Sequence, residues 1–228
     1  MMPAMNLVDI ARLRASPLRR DPFDFVVVED FLAHDRLAAL VDAFPAVRGH
    51  GSYPLSMLDC PPLFADLAAE LEGEAMRAAI EEKFTIDLSR RPTMITLRGY
   101  SDGKDGGIHT DSASKLITVL IYMNRDWTEG AGRLRLLRGP HDLDDYVAEI
   151  PPLAGMMIAF RRSEASFHGH RAHVGRRLSI QLNWVTDQGV VRRELGRHVW
   201  SARLKALSPF ARRRSPALQE IGNRGGGG

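Results

Sequence analysis

His109 and Asp111 are separated by a single residue in "GGIHTDSASK" (106–115), directly after a glycine-rich turn. On an extended segment, residues i and i+2 point the same way, so an imidazole and a carboxylate at this spacing can reach one ion. Two histidines and one carboxylate on one face of a divalent metal form the donor set of non-haem iron(II) sites, and the opposite face stays open. H-x-D alone is a weak signal, because a solvated polar loop can carry the same three residues. A second histidine must come from elsewhere. The stretch "FHGHRAHVGRRLSIQLNWV" (167–185) offers three: His168, His170 and His173.

The end of that stretch has its own pattern. Leu178, Ile180, Leu182 and Trp184 alternate with Arg177, Ser179, Gln181 and Asn183. The apolar set packs on a covering layer, and the polar set lines the interior of a closed barrel. Arg177 is therefore placed inside and Arg176 outside. A buried arginine needs an anion, and its planar guanidinium matches a carboxylate in bidentate fashion. The distal end of 2-oxoglutarate is such a carboxylate.

The elements that must position these residues fall into three regions. Region 1–91 carries a strand in "FDFVVVEDFL" (23–32), a helix over 33–45 ended by Pro45, and a helix over 62–84, whole or broken near Gly73. It is expected to support the core as part of the same domain. Region 92–187 turns to short strands at 93–100, 115–124, 132–137, 156–160 and 177–185, separated by glycine-, proline- and aspartate-rich turns. This pattern predicts a mainly β fold with flanking α. Its core is a double-stranded β-helix (jelly-roll, cupin-like), with the N-terminal helices packed on one sheet. Region 188–228 is a basic tail, with a helix over 192–210 ended at Pro209 and a flexible glycine end.

A chain of 228 residues can bury one sizeable core. Its single cysteine, Cys60, excludes an internal disulfide framework. The opening residues hold no apolar signal region, so a reducing cytoplasm is expected. No apolar run is long enough to span a membrane. The net charge of +3 is concentrated after Asp187, where nine arginines and lysines face only Glu194 and Glu220. Such a tail attracts an anionic membrane surface or an acidic partner. It lacks the interleaved aromatics of a base-stacking surface, so nucleic acid is not expected as a partner.

From Leu97 to Val185 the order of motifs is informative: His109-x-Asp111, "IYMNRDW" (121–127), "GRLRL" (132–136) and a distal histidine. Together they resemble the 2-oxoglutarate/iron(II)-dependent dioxygenases, most closely the prolyl-4-hydroxylase-like branch. The "HGH" stretch looks like uncharacterised bacterial members. In that branch a basic residue follows the distal histidine by about nine or ten positions, and Arg177 follows His168 by nine. The resemblance thus implies His109, Asp111 and His168 as ligands of Fe(II), with His168 preferred to His170. It also implies that Arg177 and Tyr122 hold the far carboxylate of 2-oxoglutarate, with O2 at the open position and ascorbate as a reductant. Thr118 and Leu120 share the face of Tyr122, and Ser179 shares that of Arg177, so all three are expected to line the co-substrate pocket. Related halogenases lack the carboxylate ligand, so Asp111 implies hydroxylation.

Tyr100, His170, Gln181 and Asn183 are candidate contacts for a polar small-molecule or peptide substrate: an amino acid, a peptide residue, or a sugar or lipid head group. His173 reads as a loop residue, Asn124 and Trp127 as residues closing a turn, and Lys115 and Arg135 as exposed. Two other classes compete. A non-catalytic cupin-like metal-dependent binding or sensor protein would have no use for Arg177. A nucleic-acid-directed oxygenase would depend on the basic tail.

Overall fold

A computed structural model gives the structure for residues 6–47, 49–193 and 196. Its strands are β1 (Phe25–Val28), β2 (Ser52–Pro54), β3 (Thr93–Ser101), β4 (Lys115–Tyr122), β5 (Leu134–Leu137), β6 (Tyr146–Ile150), β7 (Met157–Arg161), β8 (His168–Gly169) and β9 (Gly175–Val185). Its helices are α1 (Ile10–Ala15), α2 (Leu37–Asp42), α3 (Pro62–Leu71) and α4 (Glu74–Phe84). A six-stranded sheet runs β1-β7-β4-β9-β3-β2, and a three-stranded sheet runs β6-β5-β8. All the pairings between these strands are antiparallel. The fold is mainly β, a double-stranded β-helix with helices on one sheet.

The alternation in β9 sets the two faces of the large sheet. Leu178, Ile180, Leu182 and Trp184 are buried on the outer face, together with Ile95 and Leu97 of β3 and Ile117, Val119 and Ile121 of β4. Leu67 and Leu71 of α3 and Met76, Ile80 and Phe84 of α4 close over this surface. Each fully buried side chain of this size contributes about 1.5–3 kcal/mol. Tyr122, Ile158 and Phe160 face the other way and meet Leu134, Leu136 and Ile150 of the small sheet.

Several elements differ in extent from expectation. The 62–84 helix is two helices, because Gly73 adopts an extended conformation and caps α4. α2 covers only Leu37–Asp42, and β1 ends at Val28, two residues before Asp30 takes a positive φ of 50°. α1, β2, β6 and β8 are additional to the expected elements, and β2 and β8, at three and two residues, are too short to show a period. The Glu70 carboxylate accepts the amides of Leu7 and Val8 at 2.8–3.2 Å and ties the N-terminal segment to α3. Residues 188–193 are helical. The rest of the tail helix expected over 192–210, residue 196 apart, lies outside the described residues, as do most of the tail's basic side chains. Among the described residues no helix is long and apolar enough to cross a membrane.

Two one-residue register shifts decide which side chains enter the interior. Arg98 stands opposite Ser179, but Tyr100 stands opposite Arg176, because β3 shifts register at Gly99. Tyr100 therefore turns to the outer side and is 39% exposed, against the expectation that it lines the pocket. At the shift β3 passes close to Val47: a Cβ on Gly99 would lie 2.8 Å from Val47 Cβ. In β4, Lys115 stands opposite Val185 while Ile117 stands opposite Trp184. That shift turns Lys115 inward, correcting its expected exposure.

Candidate active site

His109 and His168 are joined by a reciprocal backbone pair, with the amide of His109 donating to His168 at 3.0 Å and the return bond at 2.9 Å. Their rings lie 4.4 Å apart. Asp111 completes a group in which one ligand atom from each residue lies within 4.8 Å of the others. His109 Nδ1 lies 2.8 Å from the Gly107 carbonyl, and His168 Nδ1 lies 3.0 Å from the Ser166 carbonyl. A carbonyl only accepts, so each Nδ1 carries the proton and each Nε2 keeps its lone pair for a metal. Asp111 and His168 are buried, while His109 is exposed and leaves one side of the group open.

Charge around Asp111 is tightly controlled. Lys115 Nζ donates to Oδ1 at 2.7 Å, and the Thr118 hydroxyl donates to Oδ2 at 2.5 Å. Burial works to raise the carboxyl pKa, but Lys115, then His168 and the two hydrogen bonds, outweigh it and hold Asp111 below its ordinary value. The pKa of His168 is pushed down to about 4, first by burial and then by His109. It is therefore neutral and ready to ligate at neutral pH.

A cavity of about 460 Å³ leads from the triad to Arg177. It is lined by Thr118, Leu120, Tyr122, Ser179, Gln181, His170 and Arg98 among others. Arg177 is 5% exposed. Its Nε donates to the Gly132 carbonyl at 2.9 Å, its Nη2 lies 3.4 Å from the Tyr122 hydroxyl, and the guanidinium sits 5.2 Å from the Tyr122 ring centre. Among the described residues no carboxylate pairs with it. Burial raises the Tyr122 pKa, so Tyr122 remains a neutral donor.

Other expected positions resolve as follows. His170 is buried beside the cavity rather than on the surface, and its pKa is pushed down to about 4 by burial and then by Arg177. Its amide donates to the Gly106 carbonyl at 2.9 Å. Gly106 has φ of +99°, and a Cβ there would lie 2.3 Å from the His170 carbonyl oxygen, so this close crossing needs glycine. Gln181 and Asn183 lie on the inner face, and Asn183 accepts from Gln181 at 3.2 Å. His173 lies in a loop but is packed: it is 7% exposed, bonded to Glu129 at 2.9 Å and set against Trp127 in a tilted contact with ring centres 4.6 Å apart. Arg135, expected on the surface, is 8% exposed because Glu149, Asp144 and the Tyr146 ring surround its charge. The pattern reading missed Arg98, which pairs with Asp105 at 3.0 Å, although alternation with Thr96 along β3 marks it as inward.

The donor set fits an iron(II) ion. Two imidazoles with Nε2 unengaged and one carboxylate converge from one side, and hydrogen bonds hold each of the three. The cavity fits a dicarboxylate, since its far end is a buried guanidinium that no carboxylate of the described residues pairs with.

Residues 95–185 match the family model described as the 2OG-Fe(II) oxygenase superfamily. Over that core the chain is similar to this superfamily, the iron(II)- and 2-oxoglutarate-dependent oxygenases. The fold is similar to that of a Pseudomonas putida prolyl-4-hydroxylase, with TM-score 0.54 and 18% identity over 78% of this chain and 97% of that one. It is also similar to the viral collagen prolyl hydroxylase of Paramecium Bursaria Chlorella virus-1, solved as a 2OG complex, with TM-score 0.51 and 14% identity over 71% and 96%. A Phytophthora capsici prolyl 4-hydroxylase gives TM-score 0.52 and 16% identity over 91% and 78%. No curated protein matches the chain.

Proposed function

We propose that the chain hydroxylates a carbon of a small polar substrate. The balance is one substrate C–H, one 2-oxoglutarate and one O2 giving one C–OH, one succinate and one CO2. The observation that carries this reading is Arg177, a buried guanidinium with no carboxylate partner among the described residues, at the end of the cavity that holds the triad. Iron(II), when bound, supplies the activation of dioxygen.

The chain's own residues bind and orient. His109 and His168 present Nε2 with rings fixed through Nδ1. Thr118 and Lys115 keep Asp111 ionised and aimed. Arg177 and Tyr122 take the far carboxylate of 2-oxoglutarate, which points its keto acid end at the triad. Leu120 and Leu134 supply apolar wall along the same cavity and exclude water. Asp111 as a ligand favours hydroxylation over halogenation.

Turnover under 18O2 with a panel of amino acids, short peptides and sugars tests this. The expected result is substrate-stimulated succinate carrying one labelled oxygen, with the second in a product hydroxyl. Binding of 2-oxoglutarate with no succinate from any substrate would instead indicate a non-catalytic binding protein.

A further inference from the structure

We propose that the site selects a small aliphatic carboxylate, held by Lys115. This rests on the iron(II)/2-oxoglutarate reading above. A second cavity of about 440 Å³ adjoins the triad and shares His109, Asp111, Lys115 and Gln181 with the first. It leads away from Arg177 toward the other end of β9, where Met94, Val185 and Val190 line it. The co-substrate and the substrate thus have separate spaces on either side of the metal ligands.

Charge points to the substrate class. In the loaded site Asp111 and the near carboxylate of 2-oxoglutarate cancel the two charges of iron(II), the far carboxylate cancels Arg177, Asp105 pairs with Arg98, and Lys104 is exposed to solvent. Of the lysines at the site, Lys115 is the one withdrawn from solvent and left without a compensating charge of its own. Its side chain is only 19% exposed, and its one partner among the described residues is Asp111. An ammonium held this far from water, beside a carboxylate already committed to a metal, is costly unless an anion arrives. Lys115 has three N–H groups and spends one on Asp111, so two remain for an incoming carboxylate. Among the described residues no other lysine and no arginine lines this cavity. One positive charge balances a monoanionic carboxylate and leaves a dianionic phosphate with an uncompensated charge. The methyl and methylene groups of Met94, Val185 and Val190 suit an aliphatic body, as in an amino or hydroxy acid. Since Lys115 Nζ is 2.7 Å from Asp111, the oxidised carbon lies within a few bonds of the substrate carboxylate.

The test is calorimetry on the full chain loaded with Mn(II) and 2-oxoglutarate under anaerobic conditions. The probes are leucine, isoleucine, norvaline and 2-hydroxy-4-methylpentanoate, each against its primary amide, with butyl phosphate as a third arm. At least one acid should bind about ten to a hundredfold tighter than its amide, the worth of one charge-assisted hydrogen bond. Lys115→Met should erase that acid-over-amide ratio and Lys115→Arg should retain it. The ratio is internal to each variant, so a general loss of folding or metal affinity does not imitate it. Equal binding of acids and amides, tighter binding of the phosphate, or no binding of any acid overturns the inference while leaving the co-substrate reading intact. Failure of the wild type to bind 2-oxoglutarate overturns both.

Discussion

His109 and His168 are held together by two backbone hydrogen bonds, at 3.0 and 2.9 Å, before any metal is considered. The two nitrogen ligands are therefore assembled by the sheet, and the metal does not have to gather them. Adding Mn(II) should raise the melting temperature without changing the far-ultraviolet circular dichroism. At a hundredfold excess over Kd the stabilisation should be about 2.7 kcal/mol. A large gain of ordered structure on metal addition would show that the site forms only around the ion.

Arg177 should control co-substrate affinity. Arg177→Met removes a charge-assisted partner worth about 1.5–3 kcal/mol, so the Kd for 2-oxoglutarate should rise about ten to a hundredfold. Tyr122→Phe removes a neutral hydrogen bond of about 0.5–1.5 kcal/mol and should cost less. Calorimetry with Mn(II)-loaded protein measures both, and the Mn(II) affinity should stay unchanged in each variant.

Acid should destabilise the metal-free protein earlier than its carboxylates alone would require. His168 and His170 titrate near 4 in the folded chain, below their ordinary 6.5. The unfolded chain takes up these protons first. Stability present above pH 6.5 is therefore lost as pH falls from 6.5 toward 4, at up to about 1.4 kcal/mol per pH unit for each histidine. Urea unfolding across this window should show the loss, and His170→Gln should remove about half of this slope. An identical slope in the variant would mean that His170 is freely protonated in the folded state.

Gly106 is expected to resist substitution. Alanine would combine a strained positive φ with an oxygen contact at 2.3 Å, and the loop preceding His109 would have to move. Gly106→Ala should lower stability by about 1–3 kcal/mol and weaken Mn(II) binding, whereas Gly107→Ala, with open space at its Cβ, should be milder. Thermal melts and Mn(II) titration of the two variants check the order.

The alternation in β9 was enough to place Arg177, Ser179, Gln181 and Asn183 inside, because eleven residues of regular strand leave no freedom in facing. Tyr100 and Lys115 were misplaced for one reason. Each lies beyond a one-residue register shift, at Gly99 or next to Leu116, and such a shift exchanges the faces of all that follow. Gly99 packs against Val47, fifty-two residues earlier, and no local pattern carries that contact. β8 is two residues long and has no period of its own, yet it carries His168. Its candidacy as a ligand rests on the family resemblance, through its spacing to Arg177.

The central claim is that His109, Asp111 and His168 bind iron(II) to which 2-oxoglutarate is chelated. Anaerobic titration of the full chain with Fe(II) and then 2-oxoglutarate tests it most directly. The wild type should develop a weak visible metal-to-ligand charge-transfer band, and His109→Ala and Asp111→Ala should abolish it. Retention of the band at wild-type intensity in either variant would contradict the assignment.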